Sequence, residues 1–146
     1  MRVAIGSDHA GFDQKERLKA HLAEEGFEIV DMGTESSELS VDYPDYAEQV
    51  ARAVATGTVD RGVLVCGTGI GMAMAANKVD GVRAANVTDP QFARLAREHN
   101  DANVVAVSGR FVPEETNVEI VDAFLGADFE GERHKRRIDK INGLEK

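Results

Sequence analysis

Hydrophobic residues along the chain form short runs, and segments with a helical spacing separate these runs. The runs are rich in β-branched residues and end in polar or glycine-containing turns, as is typical of buried strands. Five strands are predicted, at Val3–Ile5, Phe27–Val30, Val63–Cys66, Val82–Val87 and Val104–Val107. Six helices are predicted between and after them, at Lys15–Glu25, Tyr43–Thr56, Gly71–Lys78, Pro90–Asn100, Pro113–Leu125 and Glu132–Asn142.

The alternation of strands and helices indicates the fold class. Parallel strands need crossover connections, which helices supply, so this order favours a parallel sheet covered on both faces. We therefore predict an α/β fold, a Rossmann-like three-layer α/β/α sandwich with a five-stranded parallel sheet. The length of 146 residues suits one compact domain, which we expect to span residues 1–146. The segment Gly33–Asp42, rich in Ser and Glu, is expected to be an exposed loop.

Composition excludes several classes of protein. The formal net charge of −9 argues against the broad basic surface that nucleic-acid binding requires. The one cysteine cannot form an intrachain disulfide, and the N-terminus has no apolar signal segment. No apolar run approaches the roughly 20 residues of a membrane-spanning helix. We therefore expect a cytoplasmic protein with no membrane or nucleic-acid partner.

Candidate chemistry lies just after the strands, because open parallel sheets bind ligands outside the carboxyl ends of their strands. Most of the reactive or polar side chains that this rule selects are clustered in short segments. These segments are Ser7–His9, Cys66–Gly71, Thr88–Asp89 and Ser108–Arg110.

The segment Cys66–Gly71 predicts a glycine turn between a buried strand and a helix. Free amides at such a turn, together with the helix dipole, favour an anion and should also favour the thiolate form of Cys66. A dinucleotide fingerprint would need glycine where Met72 stands, and no Gly-Lys-Ser/Thr ends the turn as in a P-loop. A free cysteine is often only a small buried apolar residue. Its place at a strand end beside three glycines favours a functional role.

Two polar pairs have both a structural and a functional interpretation. Asp8 precedes a predicted helix, where it could serve only as a cap, and it is followed by His9. His99 and Asn100 close another helix, where an imidazolium complements the dipole and Asn accepts a left-handed cap. A histidine is also the natural acid/base of a catalytic site near neutral pH.

The segment Arg133–Arg137 is the only dense basic run of this acidic chain. In a helix, Arg133 and Arg137 are spaced i, i+4, so both guanidinium groups could bind one phosphate. Arg110, after the fifth strand, is a further candidate phosphate ligand. The run could instead be a solvated basic face that pairs with the acidic surface.

These residues together resemble the ribose-5-phosphate isomerase B family, which also includes galactose-6-phosphate and allose-6-phosphate isomerases. The resemblance covers essentially the whole chain, and several motifs in order are more specific than any one. The motifs are Gly6–Gly11, Asp42–Pro44, Cys66–Gly71, Ala75–Lys78, Arg97–Asn100, and Arg133 and His134 with Arg137.

The resemblance implies an aldose–ketose isomerase that interconverts ribose 5-phosphate and ribulose 5-phosphate through a cis-enediolate. It implies that Cys66 is the base and that His99 protonates the ring oxygen. Thr68 and the amides of Gly67, Gly69, Ile70 and Gly71 would hold the developing oxyanion. The other implied substrate-binding residues are Asp8 and Asn100 for sugar hydroxyls, Tyr43, and the phosphate ligands His9, Arg110, Arg133 and Arg137.

One branch of this family has a glutamate base right after the glycine loop. Met72 stands there, so the chain resembles the cysteine branch. The resemblance implies a homodimer, or a dimer of dimers, whose active sites draw residues from both subunits. It implies no metal and no organic cofactor, since proton transfer beside a carbonyl needs only an acid, a base and an anion site.

Two alternatives stay open. One is isomerisation of another sugar phosphate, namely allose 6-phosphate, galactose 6-phosphate or a tetrose phosphate, because the loop Gly33–Asp42 has a shape that the sequence does not reveal. The other is a non-catalytic α/β domain that senses a nucleotide or phosphate with the same glycine turn. A sensor has no need of Cys66 at the entrance of that turn.

Overall fold

The chain forms a five-stranded, all-parallel sheet with helices on both faces, as predicted. A computed structural model describes all 146 residues. The strands are β1 (Arg2–Ser7), β2 (Glu28–Asp31), β3 (Arg61–Cys66), β4 (Ala84–Asn86) and β5 (Val104–Ser108). The helices are α1 (Phe12–Glu24), α2 (Tyr43–Ala55), α3 (Ile70–Ala76), α4 (Pro90–Asn100), α5 (Glu114–Gly126) and α6 (Arg133–Asn142). None of them has the length and apolar character that crossing a membrane requires.

Each face of the sheet carries its own hydrophobic core, because successive side chains of a strand point to opposite faces. Val63 and Val65 of β3 pack with α1, α4 and α5, whereas Leu64 and Cys66 pack with α2 and α3. The strand order is β2-β1-β3-β5-β4. The central strands β1, β3 and β5 are almost wholly buried, which accounts for their continuous apolar runs. The predicted Rossmann-like sandwich is thus confirmed.

The element boundaries differ from the prediction at a few places. α1 begins at Phe12 rather than Lys15, and α3 begins at Ile70 rather than Gly71. β4 covers only Ala84–Asn86, because the amide of Val82 bonds to the carbonyl of Val79 in a turn instead of joining the sheet. The left-handed residue that ends α4 is Asp101, with φ 48° and ψ 41°, and not Asn100. Both Asn and Asp tolerate this conformation, so the sequence favours neither.

The loop Gly33–Asp42 is irregular as predicted, but its first residues are not exposed. Thr34 is buried, and its amide donates to the carbonyl of Ser7 while the amide of Ser7 donates to Gly33. Before the loop, the fully buried Lys15 places Nζ 2.8 Å from both oxygens of Asp31, which also accepts the amide of Gly33 at 2.9 Å. These bonds fix the start of the loop against the end of β1.

Asp31 is the charged end of this anchor. Burial raises its pKa, but hydrogen bonds from Lys15, Lys19 and the amide of Gly33 outweigh burial, so the pKa lies below its ordinary value of 3.8. A carboxyl whose pKa is lowered by folding stabilises the fold above its unfolded pKa. That contribution is lost as the pH falls through the folded pKa.

We expect Asp31→Asn to lower the free energy of unfolding by about 2 kcal/mol at neutral pH, because the buried ammonium of Lys15 loses its counter-charge. Urea unfolding at several pH values measures this loss, which should shrink as the pH falls below about 4. Glu35→Gln, at an exposed residue with no ion pair, is the matched control. An equal loss at pH 7 and pH 3 would contradict this account of the anchor.

Candidate active site

The carboxyl ends of β1, β3 and β5 lie side by side at one edge of the sheet. From β1 the chain proceeds to β2 on one side, while β3 occupies the other side. Such a change of direction opens a crevice outside the strand ends, where parallel sheets bind their ligands. Asp8 follows β1, Cys66 ends β3 and Arg110 follows β5, so this edge gathers three of the predicted site residues.

Cys66 is only 5% exposed and points to the face covered by α2 and α3. Its Sγ accepts a hydrogen bond from the amide of Gly69 at 3.2 Å. Gly69 adopts φ +84°, a conformation that favours glycine, and an added Cβ would lie 2.4 Å from Nδ2 of Asn86. The glycine therefore turns its amide back onto the sulfur.

The glycine turn presents unpaired amides beside the sulfur. Oγ1 of Thr68 accepts the amide of Ile70 at 3.1 Å, and Ile70 is half exposed. The amides of Gly67, Thr68 and Gly71 donate no hydrogen bond within the chain. Three free donors beside a sulfur are suited to an oxyanion that forms on a bound substrate.

Asp8 and His9 form the opposite side of this crevice. Asp8 is buried, and one carboxylate oxygen accepts the amide of Gly11 at 3.0 Å while the other has no partner in the chain. The amide of Val41 donates to Nδ1 of His9 at 3.2 Å. Because an amide can only donate, Nδ1 holds a lone pair, and the neutral ring carries its proton on Nε2. His9 therefore offers an N–H donor on its free edge.

Asp8 does not cap α1, which was its structural alternative. The N-cap residue is Gly11, and no side chain caps the helix. A Cβ on Gly11 would lie 2.5 Å from the carbonyl oxygen of Val65. The absence of a side chain thus lets the turn after β1 lie directly against the end of β3. This close packing holds the turn that carries Asp8 against the strand that ends in Cys66.

Arg110 and Tyr43 border the glycine turn. A Cβ on Gly67 would lie 3.4 Å from Nη1 of Arg110, and one on Gly71 would lie 2.5 Å from the ring of Tyr43. Both side chains are exposed enough to contact a ligand. The predicted site residues at this edge of the sheet are therefore Asp8, His9, Tyr43, Cys66–Gly71 and Arg110.

The remaining predicted residues lie at the other edge of the sheet. α4 runs back from the carboxyl end of β4 to the amino end of β5, so His99 and Asn100 at its end reach the amino edge. The electrostatics of Arg61, the first residue of β3, agree with this position. Burial lowers the pKa of Arg61, and the positive charge of Arg97, near the end of α4, lowers it further. β3 rises about 3.3 Å per residue, so its two ends are roughly 16 Å apart. Within one chain, His99 and Cys66 are separated by the length of the sheet.

The arginine pair belongs to the His99 side. Arg133 and Arg137 are exposed on α6, whose first turn packs against α4. His134, next to Arg133, stacks on His99 with ring centroids 4.3 Å apart. The predicted acid and two predicted phosphate ligands therefore form a second cluster, separate from Cys66.

Two cavities border these clusters without joining them. One, of about 810 Å³, includes Asn100 and the start of β4. A smaller one of about 430 Å³ is lined by Thr68, Ile70 and hydroxyl groups at the ends of β4 and β5. Neither of these two cavities includes Cys66.

Two residues that the sequence does not single out support the site: Asn86 supports the glycine turn, and Val41 supports His9. Asn86 donates to the carbonyl oxygens of Thr68 and Ala106, at 3.3 and 3.0 Å, and it is the last residue of β4. If the end of β4 had been predicted correctly, Asn86 would have been a candidate, because parallel sheets bind ligands at the carboxyl ends of their strands. Val41 acts through its backbone amide, for which the side-chain pattern gives no signal.

Two groups of side chains bring potential metal ligands within 4.8 Å of one another. One contains His99, Glu130 and His134, and the other contains His21, Glu25 and Asp122. In the second group, Nε2 of His21 lies 2.7 Å from Glu25 and 2.9 Å from Asp122, so the imidazole links α1 to α5. The sequence-based expectation of no metal stays a prediction.

The chain is similar over nearly its whole length to sugar-phosphate isomerases of one family. Residues 3–141 match the sequence model of the family described as Ribose/Galactose Isomerase. Ribose-5-phosphate isomerase B of Escherichia coli (strain K12) is 51% identical over 144 residues, which are 99% of this chain and 96% of that protein. The D-erythrulose-4-phosphate isomerase of Pectobacterium atrosepticum is 39% identical, over 99% of this chain and 95% of that protein.

A solved structure has the same fold over nearly the whole chain. It is the crystal structure of ribose-5-phosphate isomerase B from Mycoplasma genitalium with bound ribulose 5-phosphate. The TM-score is 0.94 at 48% identity, and the match covers 97% of this chain and 94% of the other.

Proposed function

The chain belongs to the ribose/galactose isomerase family and is an aldose–ketose isomerase, and we propose that it interconverts ribose 5-phosphate and ribulose 5-phosphate. The observation that carries the proposal is Cys66, whose sulfur accepts the amide of Gly69 beside three unpaired amides. A base next to an oxyanion site is what proton transfer beside a carbonyl requires.

The first step is opening of the sugar ring. Ribose 5-phosphate is a cyclic hemiacetal, so the C1–O4 bond must break before C2 becomes acidic. His99 donates a proton to O4, the anomeric hydroxyl gives its proton to water, and C1 becomes a carbonyl, after which the imidazole regains a proton from the solvent. Asp8, with one free carboxylate oxygen, and Asn100 bind hydroxyls of the open chain.

The second step moves one proton between neighbouring carbons. The thiolate of Cys66 takes the proton from C2, and the electron pair of that bond forms the C1–C2 double bond of a cis-enediolate with its charge on O1. The hydroxyl of Thr68 and the free amides of Gly67, Thr68 and Gly71 stabilise this oxygen. Transfer of the O2 proton to O1 and return of the carbon proton from the thiol to C1 give ribulose 5-phosphate. No atom is gained or lost, so the reaction needs no redox cofactor.

The phosphate is held by positive charge and by an N–H donor. Arg110 lies at the Cys66 edge with His9, which presents its Nε2–H on the ring edge that Val41 leaves free. Arg133 and Arg137 add two guanidinium groups spaced i, i+4 on α6. In a chain with a net charge of −9, these groups supply the local attraction for a dianion.

A complete site requires two chains. We propose a homodimer in which Cys66 and Asp8 of one chain face His99, Asn100, Arg133 and Arg137 of the other. The roughly 16 Å between the two edges of one sheet supports this arrangement. Exposed apolar side chains beside the glycine turn also support it, because Ile70 and Met74 on α3 are 52% and 68% exposed.

A related substrate is the second candidate. The relative from Pectobacterium atrosepticum is named for a tetrose phosphate, yet it is 39% identical to this chain over nearly its whole length. The loop Gly33–Asp42 contacts His9 through Val41, so its length and shape affect the phosphate end of the crevice. Comparison of kcat/KM for the pentose and tetrose phosphates identifies the substrate.

We expect His99→Asn and Cys66→Ala to separate ring opening from proton transfer. Ribulose 5-phosphate is already an open chain, because its O5 carries the phosphate, so exchange of its C1 hydrogen with deuterated water needs only the base. His99→Asn should lower conversion of ribose 5-phosphate at least about 100-fold and leave this exchange nearly unchanged. Cys66→Ala should abolish both reactions. Proton NMR in deuterated water measures both.

The control is His21→Asn, which removes an imidazole between α1 and α5 and should change neither reaction. Full exchange activity in Cys66→Ala would show that the base is another group. Equal loss of both reactions in His99→Asn would contradict its assignment to ring opening alone.

We expect mixed dimers of the same two variants to recover activity. Random pairing makes about half of the dimers heterodimers. Each heterodimer has one site with both substitutions and one intact site, so purified heterodimers should have about half of the wild-type activity, and the unseparated mixture about a quarter. Co-expression with two affinity tags and an assay of the doubly tagged dimers measures the activity of the heterodimers. Inactive heterodimers would mean that each chain contributes both residues to the same site.

A further inference from the structure

His134 is a buried histidine directly beneath the proposed ring-opening acid. The His99 and His134 rings stack with centroids 4.3 Å apart and planes tilted by 17°. His134 is only 7% exposed, whereas the side chain of His99 is 36% exposed. One face of His99 is therefore covered by His134 and the rest of the ring stays open to a ligand.

The position of His134 is fixed by the segment before α6. The amide of Glu130 donates to the carbonyl of Glu98 on α4 at 3.0 Å, and the amide of His134 donates to Gly131 at 2.9 Å. The carboxylate of Glu130 lies 3.5 Å from Nε2 of His134 and 3.7 Å from Nε2 of His99. The bond from Glu130 to Glu98 ties this segment to α4, and the bond from His134 to Gly131 ties the first turn of α6 to the segment.

His134 also contacts a proposed phosphate ligand. Nε of Arg133 donates to Nε2 of His134 at 3.4 Å. Because a guanidinium can only donate, this contact assigns the lone pair to Nε2 and the proton of the neutral ring to Nδ1. The two terminal nitrogens of Arg133 remain free, and these are the nitrogens that bind a phosphate in a bidentate way.

We propose that His134 is a positioning residue that orients both groups, His99 through ring stacking and Arg133 through its Nε2 acceptor. The proposal rests on the proposed function, since it assumes that His99 opens the ring and Arg133 binds the phosphate. His134 is too buried to meet the substrate itself. It acts by limiting the rotation of two side chains whose reactive ends must meet different parts of one sugar phosphate.

Three variants separate the two contacts. His134→Phe keeps an aromatic ring for stacking but has no acceptor for Arg133. His134→Gln offers an amide oxygen to Arg133 but has no ring. His134→Ala removes both contacts. Phe and Gln fill much of the space of the imidazole, so these two variants remain informative even if the Ala variant unfolds.

The readouts are kcat and KM for ribose 5-phosphate, the inhibition constant of inorganic phosphate, and C1 hydrogen exchange of saturating ribulose 5-phosphate. His134→Phe should raise KM and the phosphate inhibition constant roughly two- to tenfold with kcat near wild type. His134→Gln should lower kcat roughly three- to tenfold with phosphate inhibition near wild type. C1 exchange should stay near wild type in both, because it needs no ring opening.

Wild-type values for all constants in both the Phe and the Gln variants would overturn the proposal. A uniform fall of C1 exchange together with kcat would also overturn it, because that pattern indicates general loss of structure. Failure of the proposed function is distinguishable, since the wild-type protein itself would then neither convert ribose 5-phosphate nor exchange the C1 hydrogen of ribulose 5-phosphate.

Discussion

The parallel pairing of β1 with β3 is the contact on which the rest of the site depends. It aligns Ser7 with Val65, so the turn after β1 and the glycine turn after β3 begin side by side. The amide of Asp8 donates to the carbonyl of Val65 at 3.3 Å, and Gly11 packs closely on the same carbonyl. These contacts hold the turn that carries Asp8 against the strand that ends in Cys66, and a fixed arrangement of this kind is what a catalytic site requires.

The same parallel arrangement divides the site. A crossover helix must return the chain to the amino edge, so α4 carries His99 away from Cys66. α6 packs beside the end of α4 and adds Arg133 and Arg137 to that edge. Two chains related by a twofold axis can bring unlike edges together twice, which gives two sites per dimer from one contact surface. In the proposed dimer, assembly is a condition of catalysis, because the proposed base Cys66 and the proposed acid His99 of a lone chain lie at opposite edges of the sheet.

The sequence predicts most of the fold, because buried parallel strands and amphipathic helices leave separate patterns. It also selects candidate site residues, since strand ends and glycine turns are local features, and the roles of these residues stay predictions. It does not predict that His99 lies far from Cys66 within a chain, or that His134 lies beneath His99, because both depend on packing between distant elements. The predicted end of β4, at Val87, is wrong, and for that reason the sequence does not select Asn86 as a candidate. The glycine turn alone also leaves a non-catalytic sensor open, and family membership decides against it.

A crystal structure of the protein with ribose 5-phosphate tests the central claim most directly. The distance to determine is the one from Cys66 Sγ to the imidazole of His99, within the chain and across the dimer. We predict one sugar phosphate between Cys66 of one chain and His99 of its partner, with its phosphate between Arg110 and the partner's arginine pair. A sugar phosphate bound wholly by one chain, or bound away from Cys66, would contradict the account.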